Sequence, residues 1–208
     1  EKYGFAGRGG SNGESHNHND VGSFIFSIDN NQVLIDMGGR PYTRQYFEDE
    51  YRYTYLETSS RGHNTPIING EYQKNIRGTR SYTSFENGIF SIDFKEVYGI
   101  PELKALKRSF EFTSDSVILT DEYDMPKDFT FTERFVSFIE PVIGDGEITV
   151  GKATIKFDKQ EYKPSYESDI HALTCNVDGS IKTGVTVYLI SLEQVNPNGV
   201  ARIVIESK

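Results

Sequence analysis

Glu-Ser-His-Asn-His-Asn-Asp, residues 14–20, opens a segment that closes with Arg-Gly-His-Asn-Thr at residues 61–65. Three of the four histidines of the chain, His16, His18 and His63, lie inside this segment. Between them, the apolar run Val-Leu-Ile ends at Asp36, which is followed by Met-Gly-Gly. Imidazole and carboxylate groups suit both proton transfer and metal binding. We therefore expect the chemistry of the chain to lie in residues 14–65.

The spacing of His16 and His18 predicts that both imidazoles occupy one space. If this segment is extended, side chains two residues apart leave the same face of the strand. One ring can then hold a metal ion while the other moves a proton. Asp36 ends a predicted strand, and His63 lies in a turn-rich stretch. Two histidines and one aspartate would form a set of zinc ligands that leaves a fourth position for water.

Simpler interpretations exist for each of these residues. A histidine among Asn and Asp is commonly a polar loop residue, and an aspartate before Met-Gly-Gly is commonly a turn former. The proposed ligands are also far apart in the sequence, so no short spacing identifies the site. His171 stands alone in an alternating run at residues 169–174, and we expect it to be a strand residue rather than a ligand.

Three blocks of sequence, taken together and in order, resemble a known family. They are His-Asn-His-Asn-Asp-x-Gly-Ser-Phe at residues 16–24, Asp-x-Gly-Gly at residues 36–39 and, after a tyrosine-rich stretch, Arg-Gly-His-Asn-Thr at residues 61–65. The combination resembles the C-terminal β-sandwich domain of the heparinase II/III-like polysaccharide lyases. The strong part of the resemblance covers about residues 8–72, and the remainder agrees in being rich in predicted strands.

This resemblance implies a fold, an activity and a set of site residues. In that family an N-terminal α/α-toroid precedes the antiparallel β domain, and polysaccharides that contain uronic acid are cleaved by β-elimination. The first histidine of the family's His-x-His lies at the catalytic cleft, which carries over to His16. The second histidine, the aspartate and the histidine before Asn-Thr bind zinc, and these carry over to His18, Asp36 and His63.

Length, charge and composition limit the classes of partner. The 208 residues suffice for one large β domain, and we expect residues 1–208 to be a single domain excised from a longer protein. The net charge is −9. Residues 1–80 contain 9 basic and 10 acidic residues, whereas residues 81–208 contain 13 basic and 21 acidic residues. A basic face that could bind nucleic acid is therefore not expected. Nor is a membrane span, because no run of about eighteen apolar residues occurs. The single cysteine, Cys175, excludes an internal disulfide.

Alternating apolar residues predict an all-β fold, a large antiparallel β-sandwich. We expect this sandwich to be isolated from the N-terminal α/α-toroid that the resemblance implies. Residues 21–28 and 32–36 flank Asp-Asn-Asn, which predicts a hairpin, and Asn-Gly at residues 87–88 predicts a second one. No long helical repeat occurs, so the toroid itself is not expected in this chain. Further strands are predicted at residues 147–150, 153–157, 172–177, 184–191 and 200–206.

Residues 40–60 are rich in tyrosine and charge, and we interpret them as a long functional loop with a short helix at most. Removing the proton next to a uronate carboxylate requires a base, an acid and charge neutralisation, for which His16, Tyr53 and Tyr46 are the candidates, with Tyr42, Tyr51 and Tyr55 as alternatives. Guanidinium groups pair with carboxylate and sulfate. The candidate substrate-binding residues are Tyr42, Arg44 and Arg61.

Two other classes of function stay open at this point. One is a metal-stabilised carbohydrate-binding module without chemistry, and the other is a cupin-like metal oxygenase, because His-x-His with a distant histidine on a β scaffold suits iron. Against the oxygenase, Val21 and Gly22 stand where a glutamate is expected after His18. The resemblance implies a periplasmic or secreted bacterial protein that acts on an anionic polysaccharide. It also assigns a principal tyrosine to the toroid, so we expect the isolated chain to be inactive.

Overall fold

The computed structural model describes residues 3–207, and nearly all of their regular structure is antiparallel β. The alternation of buried and exposed residues that predicted strands is visible in β-strand Phe24–Ile28, where every second side chain is buried. The strands of the described residues are β1 Tyr3–Gly7, β2 Phe24–Ile28, β3 Asn31–Leu34, β4 Ile67–Ile68, β5 Tyr82–Glu86, β6 Ile89–Asp93, β7 Ala105–Phe112, β8 Ser116–Asp124, β9 Phe131–Ser137, β10 Val142–Ile143, β11 Glu147–Val150, β12 Ala153–Lys156, β13 Tyr162–Cys175, β14 Ile181–Gln194 and β15 Val200–Ser207.

These strands form three sheets that share one apolar core. The largest sheet has the order β10-β11-β12-β15-β8-β7-β6-β5, and smaller sheets have the orders β1-β2-β3 and β13-β14-β9-β4. The ring of Phe24 on β2 lies 5.2 Å from that of Phe110 on β7 and 6.3 Å from that of Phe135 on β9, measured between ring centres. One side chain therefore joins all three sheets. The two smaller sheets also adjoin, since the Ile35 amide donates to the Val136 carbonyl at 2.9 Å. The predicted all-β sandwich is confirmed.

Both predicted hairpins are present, with the turn geometry that their residues favour. Strands β2 and β3 are joined at Asp29 and Asn30, whose φ angles are 49° and 63°. Strands β5 and β6 are joined at Asn87 and Gly88, with φ angles of 52° and 78°. Two consecutive residues with positive φ produce a turn whose twist matches that of the flanking strands, and Asn, Asp and Gly adopt this conformation at the lowest cost. The hairpin β2–β3 brings the start of β2 and the end of β3 to the same end of the sheet.

The segment between β3 and β4 is irregular, as predicted for residues 40–60. It contains a 3₁₀ helix at Gln45–Phe47, α1 at Asp49–Arg52 and a second 3₁₀ helix at Ser60–Gly62. A further 3₁₀ helix, Lys95–Tyr98, connects β6 to β7. No helix within residues 3–207 is both long enough and apolar enough to cross a bilayer.

The prediction for residues 172–177 was wrong about the length of the strand. In the structure β13 spans Tyr162–Cys175 and pairs along its length with β14. Most of its side chains are exposed, including the polar ones between Ser165 and Asp169. A strand that is exposed on both faces shows no apolar alternation, which is why the sequence pattern did not reveal it.

A cluster of buried charges lies between the sheets. Arg108 on β7 contacts Asp121 on β8 and Glu133 on β9, with nitrogen–oxygen distances of 2.7 and 2.8 Å, and all three side chains are fully buried. Arg108 Nη1 also donates to the carbonyl oxygens of Gly22 at 3.0 Å and Asn64 at 2.7 Å. Arg108 therefore joins the loop before β2 to the loop after the 3₁₀ helix at Ser60–Gly62.

Candidate metal site and cleft

Three possible metal ligands from separate parts of the sequence meet beside the hairpin β2–β3. One potential ligand atom from each of Asp20, Asp36 and His63 lies within 4.8 Å of the others. Asp20 precedes β2 and Asp36 follows β3, so the hairpin brings the two carboxylates to the same end. His63 follows the 3₁₀ helix Ser60–Gly62, and the hydrogen bond from Arg108 to the neighbouring Asn64 carbonyl holds this loop against the core.

His63 is oriented as a metal ligand would be. Its side chain is fully buried, and its Nε2 lies 3.0 Å from the Glu57 carbonyl oxygen. A carbonyl can only accept, so Nε2 carries the proton and Nδ1 keeps its lone pair. Nδ1 is 3.7 Å from Asp36 Oδ2 and has no hydrogen-bond partner. Burial lowers the pKa of His63, although the Asp36 carboxylate opposes this change. The ring is therefore neutral and can donate its lone pair to a cation.

Asp20 contributes a second polar atom without a partner. Its Oδ2 accepts from Arg8 Nη1 at 2.5 Å, while its buried Oδ1 has no hydrogen-bond partner. Burial raises the pKa of Asp20 to about 6, against the opposing effect of Arg8. Burying a carboxylate oxygen without a partner costs free energy, and a bound cation would remove that cost. A neutral imidazole with two carboxylates is a ligand set that suits zinc.

His18 lies beside this group, with its ring centre 5.4 Å from that of His63. It is half-buried, and its pKa is lowered by burial and by His63. The structure thus brings His18, Asp36 and His63, the three predicted zinc ligands, into one neighbourhood and adds Asp20. Sequence reasoning missed Asp20, although its spacing of two residues from His18 in His-x-Asp was a signal for it.

The predicted extended conformation of residues 16–18 was wrong. These residues lie in turns and irregular backbone, and His16 has a positive φ of 59°. This left-handed conformation sends the side chains of His16 and His18 into different surroundings. His16 is exposed, whereas His18 is half-buried next to His63.

His16, two residues before His18 in the chain, lines an open cleft of about 510 Å³. Its ring meets that of Phe47 edge-on, with ring centres 6.1 Å apart. Tyr53, also in the cleft, donates from Oη to Asn17 Oδ1 at 3.0 Å. The cleft therefore brings His16 together with one of the two predicted catalytic tyrosines. Its residues are Gly13, Glu14, Ser15, His16, Phe47, Arg52, Tyr53, Asn75 and Arg77.

The other predicted catalytic tyrosine, Tyr46, lies below the surface. It is 2% exposed, and the Arg52 guanidinium lies 4.4 Å from its ring centre. Direct contact between Tyr46 and a ligand would require this loop to move. Arg52 in turn donates to the Asn17 carbonyl at 2.8 Å. The stacked side chains of Tyr46 and Arg52 therefore support Asn17, which lies between His16 and His18.

The predicted substrate-binding residues do not line the cleft. Tyr42 is 67% exposed and packs against Tyr46 and Phe47. Arg44 pairs with Glu48 at 3.2 Å, and Arg61 pairs with Asp169 on β13 at 2.6 Å. The arginines that do line the cleft are Arg52 and Arg77, and their sequence context did not distinguish them from other arginines.

A comparison with protein-family models decides the family. The model described as Heparinase II/III-like, C-terminal, matches residues 5–155, which is more than half of the chain. The chain belongs to the heparinase II/III-like family. The resemblance inferred from the three sequence blocks is thereby confirmed, and with it the general class of polysaccharide lyases.

Solved structures share the fold of this heparinase II/III-like domain. A heparinase III, the BT4657 gene product, has a TM-score of 0.69 and 15% identity, over 97% of this chain and 32% of that chain. The heparan sulfate lyase HepC from Pedobacter heparinus has a TM-score of 0.59 and 13% identity, over 93% of this chain and 31% of that chain. The domain thus spans about a third of the length of these proteins. A search of curated proteins gave no match.

Proposed function

We propose that this domain binds a zinc ion and forms one wall of the active-site cleft of a lyase that cleaves uronic-acid polysaccharides by β-elimination. The observation that carries the proposal is His63, whose buried, unpartnered Nδ1 faces two carboxylates beside a cleft that contains His16. His18, Asp36 and His63 are the proposed ligands, and Asp20 is a further one. A bound zinc ion would supply fixed positive charge that holds the three ligand-bearing loops together.

The chemical role of the cleft follows from the reaction. β-Elimination removes the proton on the carbon next to the uronate carboxylate, so it needs a base and a group that neutralises that carboxylate. His16 is exposed on the cleft wall and is proposed to move a proton or to neutralise charge. Tyr53 is proposed as a second proton-transfer group, since its hydroxyl is already oriented by Asn17.

The proposed substrate is an anionic polysaccharide, and the complete site is proposed to require the N-terminal region that longer relatives possess. The name of HepC identifies that protein as a heparan sulfate lyase, which supports a carboxylate-bearing sugar here. Because polysaccharides of this kind lie outside bacterial cells, we propose that the protein is periplasmic or secreted. We propose that sugar residues extending beyond the cleft contact Tyr42, Arg44 and Arg61.

Two measurements test the proposal. Metal analysis of the purified domain in chelator-free buffer should give about one zinc per chain, and added zinc should raise its melting temperature. The domain joined to its N-terminal region should release unsaturated products that absorb in the ultraviolet from one of a panel of uronic-acid polysaccharides. Zinc binding with no such product from any substrate would instead favour a metal-stabilised carbohydrate-binding module. A metal content near zero would contradict the zinc site.

A further inference from the structure

Glu57 is a buried acid that contacts the metal-site histidine through its backbone and the long hairpin β13–β14 through its side chain. Glu57 is 1% exposed. The Glu57 carbonyl oxygen accepts the Nε2 proton of His63 at 3.0 Å. Its carboxylate lies against a different part of the fold, where Oε1 accepts from the Ala172 amide of β13 at 2.9 Å. One residue thus links His63 to a strand more than a hundred positions later in the sequence.

Two further side chains lie within ion-pair distance of the same carboxylate. His171 Nδ1 lies 3.3 Å from Glu57 Oε1, and Arg40 Nη1 lies 3.9 Å from Oε2. Both partners are themselves buried, at 6% exposure each. A buried carboxylate is stable only when it is paired and hydrogen-bonded, so the Ala172 amide and the Arg40 guanidinium together restrict where Glu57 can lie.

Arg40 is fixed from its other side. Its Nη2 donates to the Gly179 carbonyl at 2.8 Å, and its guanidinium carbon lies 3.7 Å from the ring centre of Tyr55. Gly179 lies in the turn between β13 and β14. The Glu57 carboxylate is therefore held by β13 on one side and by an arginine anchored to the same hairpin on the other.

The position of the Glu57 carbonyl determines which nitrogen of His63 is available. While Nε2–H donates to this oxygen, the lone pair of Nδ1 faces Asp36 and Asp20. Residues that fix the tautomer and the orientation of a ligating histidine affect metal affinity without contacting the metal. A shift of residue 57 would rotate the ring or free Nε2, and Nδ1 would no longer be directed at the carboxylates.

We propose that Glu57 is a positioning residue of the metal site, which acts by anchoring the loop that orients His63 to strand β13. The inference rests on the zinc site of the proposed function. It extends that site beyond its ligands to the contact between residues 40–60 and the hairpin β13–β14, which the family motif does not include.

The test compares Glu57→Gln with Glu167→Gln in this chain. Both changes remove one negative charge, but Glu167 is an exposed acid of β13 paired with Arg134. The amide keeps the size of Glu57 but loses its charge toward Arg40 and His171. We expect the zinc dissociation constant, measured by chelator competition, to rise about 10- to 100-fold in Glu57→Gln and to stay within twofold of the unsubstituted protein in Glu167→Gln.

A second control separates positioning from general loss of stability. Ile155→Ala removes apolar volume from the core at β12, away from residues 57–63. It should lower the melting temperature of the metal-free protein at least as much as Glu57→Gln does, without weakening zinc binding. If Ile155→Ala weakened zinc to the same extent, the effect of Glu57 would be merely structural and the proposal would be overturned.

The imidazole ¹⁵N signals of His63 provide a readout that needs no metal. In the metal-free protein they should report a proton on Nε2, and in Glu57→Gln this preference should weaken. An unchanged tautomer together with unchanged zinc affinity would overturn the proposal. If the unsubstituted protein binds no zinc, the proposed function fails, but the ¹⁵N signals still test whether Glu57 orients His63. If Glu57→Gln does not fold, Glu57→Asp, which retains the charge on a shorter side chain, should show the same changes to a smaller extent.

Discussion

His16 and His18 are two residues apart, yet they belong to regions that are built in different ways. In the ligand group beside His18, Asp20 and His63 are buried and Asp36 is partly exposed, and these residues are held by Arg8, by the Glu57 carbonyl and by the loops that Arg108 fixes. On the cleft wall, among the residues that the structure describes, the side chains of His16 and Arg77 have neither a hydrogen bond nor an ion pair. Each member of the ligand group has a defined polar neighbour, whereas the cleft combines the free side chains of His16 and Arg77 with Tyr53 and Arg52, which are held by Asn17.

This difference agrees with the proposed function of each region. A metal ion is small, and ligands that are already oriented bind it with higher affinity. A polysaccharide is large and mobile, and groups that contact it must be reachable from solvent. We therefore expect substitutions to affect stability and metal binding in the buried region, and to affect turnover with little change in stability in the cleft.

The largest effect is expected for Arg108→Met. It leaves the fully buried Asp121 without its charge partner and removes the donor to the Gly22 and Asn64 carbonyls. Removing one member of a buried ion cluster costs about 3–5 kcal/mol, so the variant should be severely destabilised or unfolded. Urea denaturation followed by circular dichroism measures this loss. Arg44→Met, at an exposed ion pair in the tyrosine-rich loop, should change stability by less than about 0.5 kcal/mol. Equal losses in the two variants would contradict the expectation that a buried ion cluster contributes more to stability than an exposed ion pair.

Asp36→Asn tests the metal site with a smaller expected effect. Asp36 Oδ1 accepts from the Gly38 amide at 2.7 Å, and an asparagine oxygen can keep that bond while the ligand charge is lost. At a free zinc concentration 100 times the dissociation constant, the unsubstituted protein should gain about 2.7 kcal/mol of stability, and the variant should lose most of that gain. Melting curves with and without zinc measure it. Asp169→Asn, at a carboxylate of similar exposure, should keep the gain. A full zinc response in Asp36→Asn would exclude Asp36 as a ligand.

Much of the fold could be predicted because alternation and turn residues are local signals. Even the buried ion cluster had such a signal. Arg108 stands two residues from Leu106 and Phe110, and Glu133 stands two residues from Phe131 and Phe135, so alternation assigns both charges to the apolar face. The sequence does not show which strands lie next to each other, and it is this arrangement that brings opposite charges together and makes the burial of Arg108 and Glu133 stable. That pairing depends on the order of β7, β8 and β9 in two different sheets.

The site was predictable to a different extent. The three sequence blocks predicted His18, Asp36 and His63 as ligands, and the structure groups Asp36 and His63 with Asp20 and places His18 beside them. The motif did not reveal the backbone at His16, since a left-handed residue leaves no periodic pattern. Nor did it reveal Glu57 and Arg40, whose contacts with β13 and β14 arise only when the hairpin folds over the loop.

Glu133→Gln should change how stability depends on pH. Burial raises the pKa of Glu133 well above its usual range, Asp121 raises it further, and Arg108 opposes both effects. A group whose folded-state pKa is raised stabilises the protein fully below its unfolded pKa, near 4.5, and this contribution is lost as pH rises through the folded-state value. Glutamine mimics the protonated acid, so the variant should match the unsubstituted protein at acidic pH and exceed its stability at higher pH. Urea titrations at several pH values test this, and parallel pH profiles would contradict it.

The smallest effect on stability is expected at His16, in the cleft. His16 adopts a φ of 59°, which costs a residue with a Cβ about 1 kcal/mol relative to glycine. His16→Gly should therefore be neutral or stabilising by up to about 1 kcal/mol, after the greater freedom of glycine in the unfolded chain is included. His16→Ala removes the same imidazole but retains the backbone cost, so the difference between the two variants in urea denaturation isolates the strain.

Zinc affinity should be unchanged in both, because His16 does not belong to the ligand group. In the protein joined to its N-terminal region, both variants should lose most of their turnover of uronic-acid polysaccharide. Loss of zinc in either variant would move His16 from the cleft to the ligand group, and retained turnover in both would remove it from the catalytic residues.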